Sequence, residues 1–232
     1  MDNTQGNIRQ IQQDLREAGF YAGRVDGIWG DKSKAALKTA LETRDYQATC
    51  GIDASQLRPV DMQIAWGSKV SKVFKERIIW IADDLEMPAH GADWLMSCIA
   101  WESASTFSAS IKNMAGSGAV GLIQFMPKTA IGLGTTVSKL ALMTPEAQLN
   151  YVAKYFAPYR GKLNSLSDVY MTILWPLGVG KSEDYVLWDQ HTRPTTYRQN
   201  IGLDVNRDLK ITKGEAASKV MAELLLGQQF RG

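Results

Sequence analysis

The stretch GADWLMSCIAWESASTFSAS, residues 91–110, decides how the larger part of this chain folds. Within it Leu95, Cys98, Ile99 and Glu102 fall at i, i+3, i+4 and i+7, the spacing of one face of an α-helix. Three of the four are apolar, so that face is expected to enter a core and to carry Glu102 with it. A carboxyl drawn toward a core loses hydration, which penalises the ionised form and raises its pKa. Such a group stays protonated near neutral pH and can give up its proton, as a general acid must. The same position also suits a partly exposed glutamate at a helix C-terminus, or one paired with a buried Lys or Arg. Glu102 is isolated in sequence, because no Asp or Glu follows it until Glu146.

Immediately downstream, NMAGSGAVGLIQFMPKTAIGLG (113–134) is rich in glycine and small residues that let a backbone approach a ligand closely. Gln124 places an amide among Leu122, Ile123, Phe125 and Met126, a combination suited to the wall of a sugar groove. A tight turn with no ligand reads the same way. On either side, VSKVFKERIIWIADDL (70–85), PEAQLNYVAKYFAPYR (145–160), SLSDVYMTILW (165–175) and GEAASKVMAELLLG (214–227) repeat their apolar residues at helical spacing. The expectation is a mainly α domain interrupted by a Gly-rich segment from Ala115 to Gly121.

The N-terminal fifth or so has a different texture. Ile8, Ile11, Leu15 and Ala18 follow a helical period that Gly19 stops, then Gly23, Asp26, Gly27 and Gly30 supply turn chemistry, and Ala35, Leu37, Ala40 and Leu41 resume helical spacing. Between Asp45 and Ser68 the period weakens, which predicts a third short helix and a linker. The expected division is a small bundle over 1–60, a linker over 61–70 and the larger α domain over 71–232.

Composition narrows the function classes. A net charge of +2 and no Lys/Arg-rich run exclude a phosphate-tracking surface, so no nucleic-acid partner is expected. Nowhere do eighteen apolar residues run together, and MDNTQGNIRQ lacks the basic and apolar regions of a secretory signal; a chain without membrane anchor, staying in the cytoplasm, is expected. Cys50 and Cys98 stand far apart with no CxxC, so idle thiols and no catalytic metal are expected. Near the C-terminus DVNRDLKITKGE (204–215) follows much of a calcium-binding EF-hand loop, with Asp204, Asn206, Asp208, the Lys210 carbonyl, Thr212 and Glu215 at ligand positions. Leu209 replaces the glycine of the sharp turn. The favoured expectation is a metal-free loop with an N-cap on the following helix, and weak Ca2+ binding is the alternative.

Two family resemblances sharpen this reading. LREAGFYAGRVDGIWGDKSKAAL (15–37), with its leucine helix, G-F pair, DGxxG and second helix, resembles the small three-helix peptidoglycan-binding domain. That resemblance implies a wall-binding role with Tyr21, Asp26 and Trp29 as candidate contacts; Phe20, Tyr21 and Trp29 would either stack on sugar rings or cap the bundle. The pair Glu102-Ser103, then Phe107, then GSGAVGLIQFMPKTA (116–130) resemble the catalytic core of the soluble lytic transglycosylase family, which shares a lysozyme-like fold with goose-type lysozyme. It implies that Glu102 is the catalytic acid and that Gln124 and Met126 line the saccharide site. Tyr170 in DVYMTILWPLGVG answers to a family tyrosine that assists the acid, although Met171 and Thr172 depart from the family motif. Tyr197 in PTTYRQN and Ser117 in GSGA are further substrate-binding candidates.

Together the two modules resemble a bacteriophage endolysin, a monomer that waits in the host cytoplasm until the membrane is opened and then cleaves peptidoglycan between N-acetylmuramic acid and N-acetylglucosamine. The implied chemistry uses one acid twice and leaves a 1,6-anhydro end. The rival expectations are a goose-type muramidase that uses water and a non-catalytic wall-binding virion protein.

Overall fold

A computed structural model describes residues 4–17, 19–28, 30–33, 35–36, 39, 63–113 and 116–232. The chain divides into two compact units, Met1–Met62 and Gln63–Gly232, and is mainly helical.

In the first unit, α1 (Thr4–Glu17) buries Gln12 and Leu15. Gly19 takes φ +82°, a left-handed backbone open to glycine, and ends the helix; its N–H donates to the Arg16 carbonyl at 3.0 Å, while those of Phe20 and Tyr21 both reach the Leu15 carbonyl. The chain then turns through residues 23–30 and is helical again at 31–33 and 35–36. Cys50 and the third short helix expected after Asp45 lie outside the described residues as far as 62.

The second unit is assembled around α3 (Gly91–Glu102), the helix read from the opening stretch. Leu95, Met96, Cys98, Ile99 and Ala100 are buried on it, and α2 (Lys72–Asp84), α7 (Leu166–Leu174) and α9 (Lys213–Gly227) pack around it. Between them run α4 (Pro127–Gly132), α5 (Val137–Ala141), α6 (Pro145–Phe156) and α8 (Pro194–Gln199). Ser71, Thr144 and Ser165 cap α2, α6 and α7, each accepting a backbone N–H from the first turn and so satisfying one of the donors a helix start leaves open. One buried ion pair, Lys213 Nζ to Asp168 Oδ1 at 2.6 Å, ties the start of α9 to α7.

Two findings depart from the sequence expectation. The 61–70 stretch is not a spacer from Ile64 onward: Ile64, Ala65 and Trp66 are buried, Ile64 and Gly232 exchange backbone hydrogen bonds, and the Trp66 indole N–H donates to the Glu223 carbonyl at 3.0 Å. Those partners lie at the far end of the chain, so no local period announces them. A short two-stranded antiparallel sheet also forms between β1 (Val186–Asp189) and β2 (Lys210–Thr212), with an irregularity between Val186 and Trp188.

Candidate active site

Glu102 is the last residue of α3, so its side chain leaves the buried stripe where the helix ends and meets solvent along one edge. Burial pushes its carboxyl from the ordinary range up to about 7. Among the described residues no charged group counts among the causes of that shift; desolvation alone accounts for it. The acid on the neighbouring helix, Asp168, is engaged by Lys213 and by the Gly180 N–H at 2.7 Å.

Past Ser103 the chain makes an irregular turn in which Ala104, Ser105 and Phe107 all take positive φ. Such backbone costs about 1 kcal/mol or more per non-glycine residue and persists only where the surroundings fix it. Here Ser103 Oγ, fully buried, accepts the Phe107 N–H at 3.1 Å, and the Phe107 ring meets Phe74 edge-on at 6.1 Å. The turn is thereby locked behind Glu102.

Two tyrosines lie within electrostatic reach of the Glu102 carboxylate. Tyr155 on α6 is pushed up to about 12 by burial, with Tyr159 and Glu102 adding to the effect. Tyr170 on α7, 3% exposed, is raised further by burial and then by Glu102. Their hydroxyls differ. Tyr155 donates its proton to the Thr172 carbonyl at 2.7 Å, whereas Tyr170 accepts the indole N–H of Trp101 at 3.1 Å. Tyr155 and Trp101 escaped the sequence reading; an aromatic at i+3 from Val152 on a buried helix face looks like core, and Trp101 looks like the residue beside the acid.

The glycine-rich segment forms a tight lobe. Val120 and Phe125 exchange backbone hydrogen bonds, Gly121 N–H donates to the Ile111 carbonyl at 2.8 Å, and Gln124 takes φ +51° in the turn between them. The Gln124 amide Nε2 donates to the Gly121 carbonyl at 3.1 Å, and Met126 is half exposed at the start of α4. Phe125 meets Tyr155 edge-on with ring centroids 6.2 Å apart, which holds this turn against the tyrosine beside Glu102. Ser117 is exposed and its hydroxyl accepts the Ala119 N–H at 3.3 Å.

Tyr197 goes elsewhere. Its hydroxyl donates to Asp204 Oδ2 at 2.7 Å, and that hydrogen bond, with burial and the charges of Asp204, Asp208 and Glu215, pushes it up to about 12. Its hydroxyl is engaged by the 204–215 loop. In that loop Asp204 Oδ2 also accepts the Leu209 N–H at 3.1 Å, Asn206 Oδ1 accepts from Asp208 and Asp208 Oδ1 from Lys210. Leu209 adopts φ +68°, so the leucine takes the backbone that glycine would have supplied. Thr212 and Glu215 form a reciprocal capping box, the N-cap expected for α9. Within this loop Asp204 Oδ1 is buried without a hydrogen-bond partner, and among the described residues no three His, Cys, Asp or Glu side chains gather as metal ligands.

In the first unit Gln12 organises the turn. Its Oε1 accepts the N–H groups of Asp26 and Gly27 at 3.0 and 2.9 Å, and its Nε2 lies within hydrogen-bond distance of Tyr21 Oη, Asp26 Oδ1, the Ile28 carbonyl and Ser33 Oγ. Tyr21 is 6% exposed and donates to the Arg24 carbonyl at 2.9 Å, so of its two expected roles the structure gives it the cap. Asp26 Oδ1 accepts the Ile28 N–H at 2.9 Å, which makes it a turn-former. Trp29 lies outside the described residues. Among the described residues of this turn, Arg24 and Ile28 are exposed.

Residues 4–40 match the peptidoglycan binding domain family. No curated protein matches the chain. The match makes this a cell-wall-related protein with a peptidoglycan-binding module at its N-terminus, and among the described residues no helix is long and apolar enough to cross a membrane.

Proposed function

We propose that the second unit cleaves the β-1,4 bond between N-acetylmuramic acid and N-acetylglucosamine, with Glu102 acting alone, first as acid and then as base. The observation that carries this reading is the burial of Glu102 at the end of an apolar helix face, which pushes its carboxyl up to about 7, with no second carboxylate among the causes of that shift in the described residues. A hydrolase of the two-carboxylate kind places a second acid across the sugar. With one acid, the carboxylate left after donation takes the proton from the muramic acid 6-hydroxyl, whose oxygen attacks the anomeric carbon and closes a 1,6-anhydro ring. In this reading Gln124 and Met126 are the saccharide-site residues, and Tyr170, within electrostatic reach of Glu102, assists the acid.

Combined with a wall-binding module, such an enzyme reads as a phage endolysin held in the host cytoplasm until another factor opens the membrane. Mass spectrometry of fragments released from purified peptidoglycan tests the chemistry: anhydro-muramic ends are expected. Reducing muramic ends would replace the scheme with water attack, and the absence of fragments would leave a wall-binding protein without this activity.

The first unit concentrates the enzyme on an insoluble polymer without adding catalytic contacts. Removing residues 1–62 is expected to weaken co-sedimentation with cell walls while turnover of short soluble glycans survives. Equal pelleting of the two forms would sink the binding role.

We read the 204–215 loop as metal-free, because its carboxylates already accept backbone N–H groups whereas calcium asks for about six to eight oxygens. Calorimetric titration with Ca2+ is expected to show no saturable heat at micromolar concentrations; a saturable isotherm there would reassign the loop as a cation site.

A further inference from the structure

We propose that Trp101 is a positioning residue for this reaction: its indole N–H holds the Tyr170 hydroxyl as an acceptor and so aims the phenolic proton at the sugar bound beside Glu102. The proposal rests on the cleavage reading given above. A phenol has one proton to donate and lone pairs to accept with. Tyr170 accepts from Trp101 Nε1 at 3.1 Å, and among the described residues its own proton has no acceptor. Tyr170 is buried, where a hydroxyl proton left without an acceptor is costly. A sugar oxygen arriving at Glu102 supplies that acceptor, so the site is incomplete until substrate enters it.

The contrast with Tyr155 makes the assignment specific. Both tyrosines sense the Glu102 carboxylate, yet the Tyr155 proton is committed to the Thr172 carbonyl. Only Tyr170 keeps a proton for the ligand, and only Tyr170 is held by a neighbour of the acid. Trp101 follows directly from the helix that buries Glu102: one residue before the acid, it points about 100° away around the α3 axis, toward α7 and the solvent edge of the site. Trp101 is 37% exposed, so it reaches Tyr170 without being part of the core. An exposed indole that makes one directed hydrogen bond to a buried hydroxyl adds little to packing and much to orientation.

The test is a two-by-two set of variants, wild type, Trp101→Phe, Tyr170→Phe and the double variant, assayed on soluble uncrosslinked glycan strands. Phe at 101 keeps an aromatic plane and removes the N–H. Trp101→Phe is expected to lower kcat about tenfold with KM within about twofold, the scale of one oriented hydrogen bond. In the Tyr170→Phe background the same change is expected to do almost nothing, because the hydroxyl it positions is gone. Full activity of Trp101→Phe would overturn the proposal, as would an equal fold-loss in both backgrounds, which marks a structural effect. Unchanged thermal unfolding of each variant checks that the fold is intact. Wild-type protein that releases no fragments at all would instead overturn the cleavage reading itself.

Discussion

Glu102→Gln is expected to fold normally, to lose a hundredfold or more of its lytic activity, and to be more stable than the wild type above pH 7. In the proposed scheme the loss of activity follows from removing the acid that protonates the leaving oxygen; general acid catalysis contributes about a hundredfold to ten-thousandfold. The gain in stability follows from the direction of the Glu102 shift. Folding raises its pKa from 4.5 to about 7, so below 4.5 both states carry the proton and the group is neutral in its effect. Between those values the unfolded chain ionises while the folded one holds its proton, so stability falls as pH rises and stays lower above 7. Glutamine does not titrate and escapes that loss, by on the order of 1–3 kcal/mol after allowing for the solvent edge of the site. Thermal unfolding at pH 4 and pH 8 reads it directly: the two proteins are expected to agree at the lower pH and to separate at the higher. A glutamate paired with a buried cation predicts the opposite, with the variant weaker at pH 8. Near-normal lysis by the variant would remove Glu102 from the chemistry altogether.

The same residue shows what was legible in the sequence. Its place on an apolar stripe of period 3.6 was enough to predict both the helix and the desolvation, because α3 is packed on several sides and the stripe is continuous. Gly19 at the end of α1 and the capping box of α9 were likewise readable, since their physics is complete within a few residues. What escaped depends on distant partners. Ile64, Ala65 and Trp66 read as a polar linker until residues 223–232 come back to cover them. Tyr197 looked like a sugar contact, but its hydroxyl donates to Asp204 seven residues on. Tyr155 and Trp101 carry no local sign of their relation to Glu102; that relation exists only once α6 and α7 stand beside α3.

Gln148 is the largest such omission, and its replacement carries the second large effect expected of this fold. On α6, amid the buried Leu149 and Val152, this glutamine is itself fully buried. Its Oε1 accepts the Leu122 N–H at 2.7 Å, and its Nε2 donates to the carbonyls of Ala109 at 3.0 Å and Leu140 at 2.9 Å. One amide thus holds three segments: the turn after Glu102, the glycine-rich lobe and the end of α5. Gly121 belongs to the same arrangement. A Cβ there would stand 2.6 Å from Gln148 Nε2, and its φ of +84° disfavours any side chain. Gln148→Met keeps the length and the apolar stem but leaves two buried backbone groups, the Leu122 N–H and the Ala109 carbonyl, unpaired, while the Leu140 carbonyl keeps the Met143 N–H at 3.2 Å. At about 1–3 kcal/mol for each, the loss is expected to reach roughly 2–6 kcal/mol, a large share of the stability of an ordinary domain. Denaturant unfolding checks it, and a loss of less than about 1 kcal/mol would show that water or a shifted loop satisfies those groups. Gly121→Ala is expected to destabilise comparably, and the two changes together should cost less than their sum because both break one contact. On the proposed reading, activity is expected to fail before the fold does: the lobe that Gln148 anchors carries Gln124 and seats Phe125 against Tyr155, so loosening it shifts the proposed saccharide-site residues while the helical core still stands.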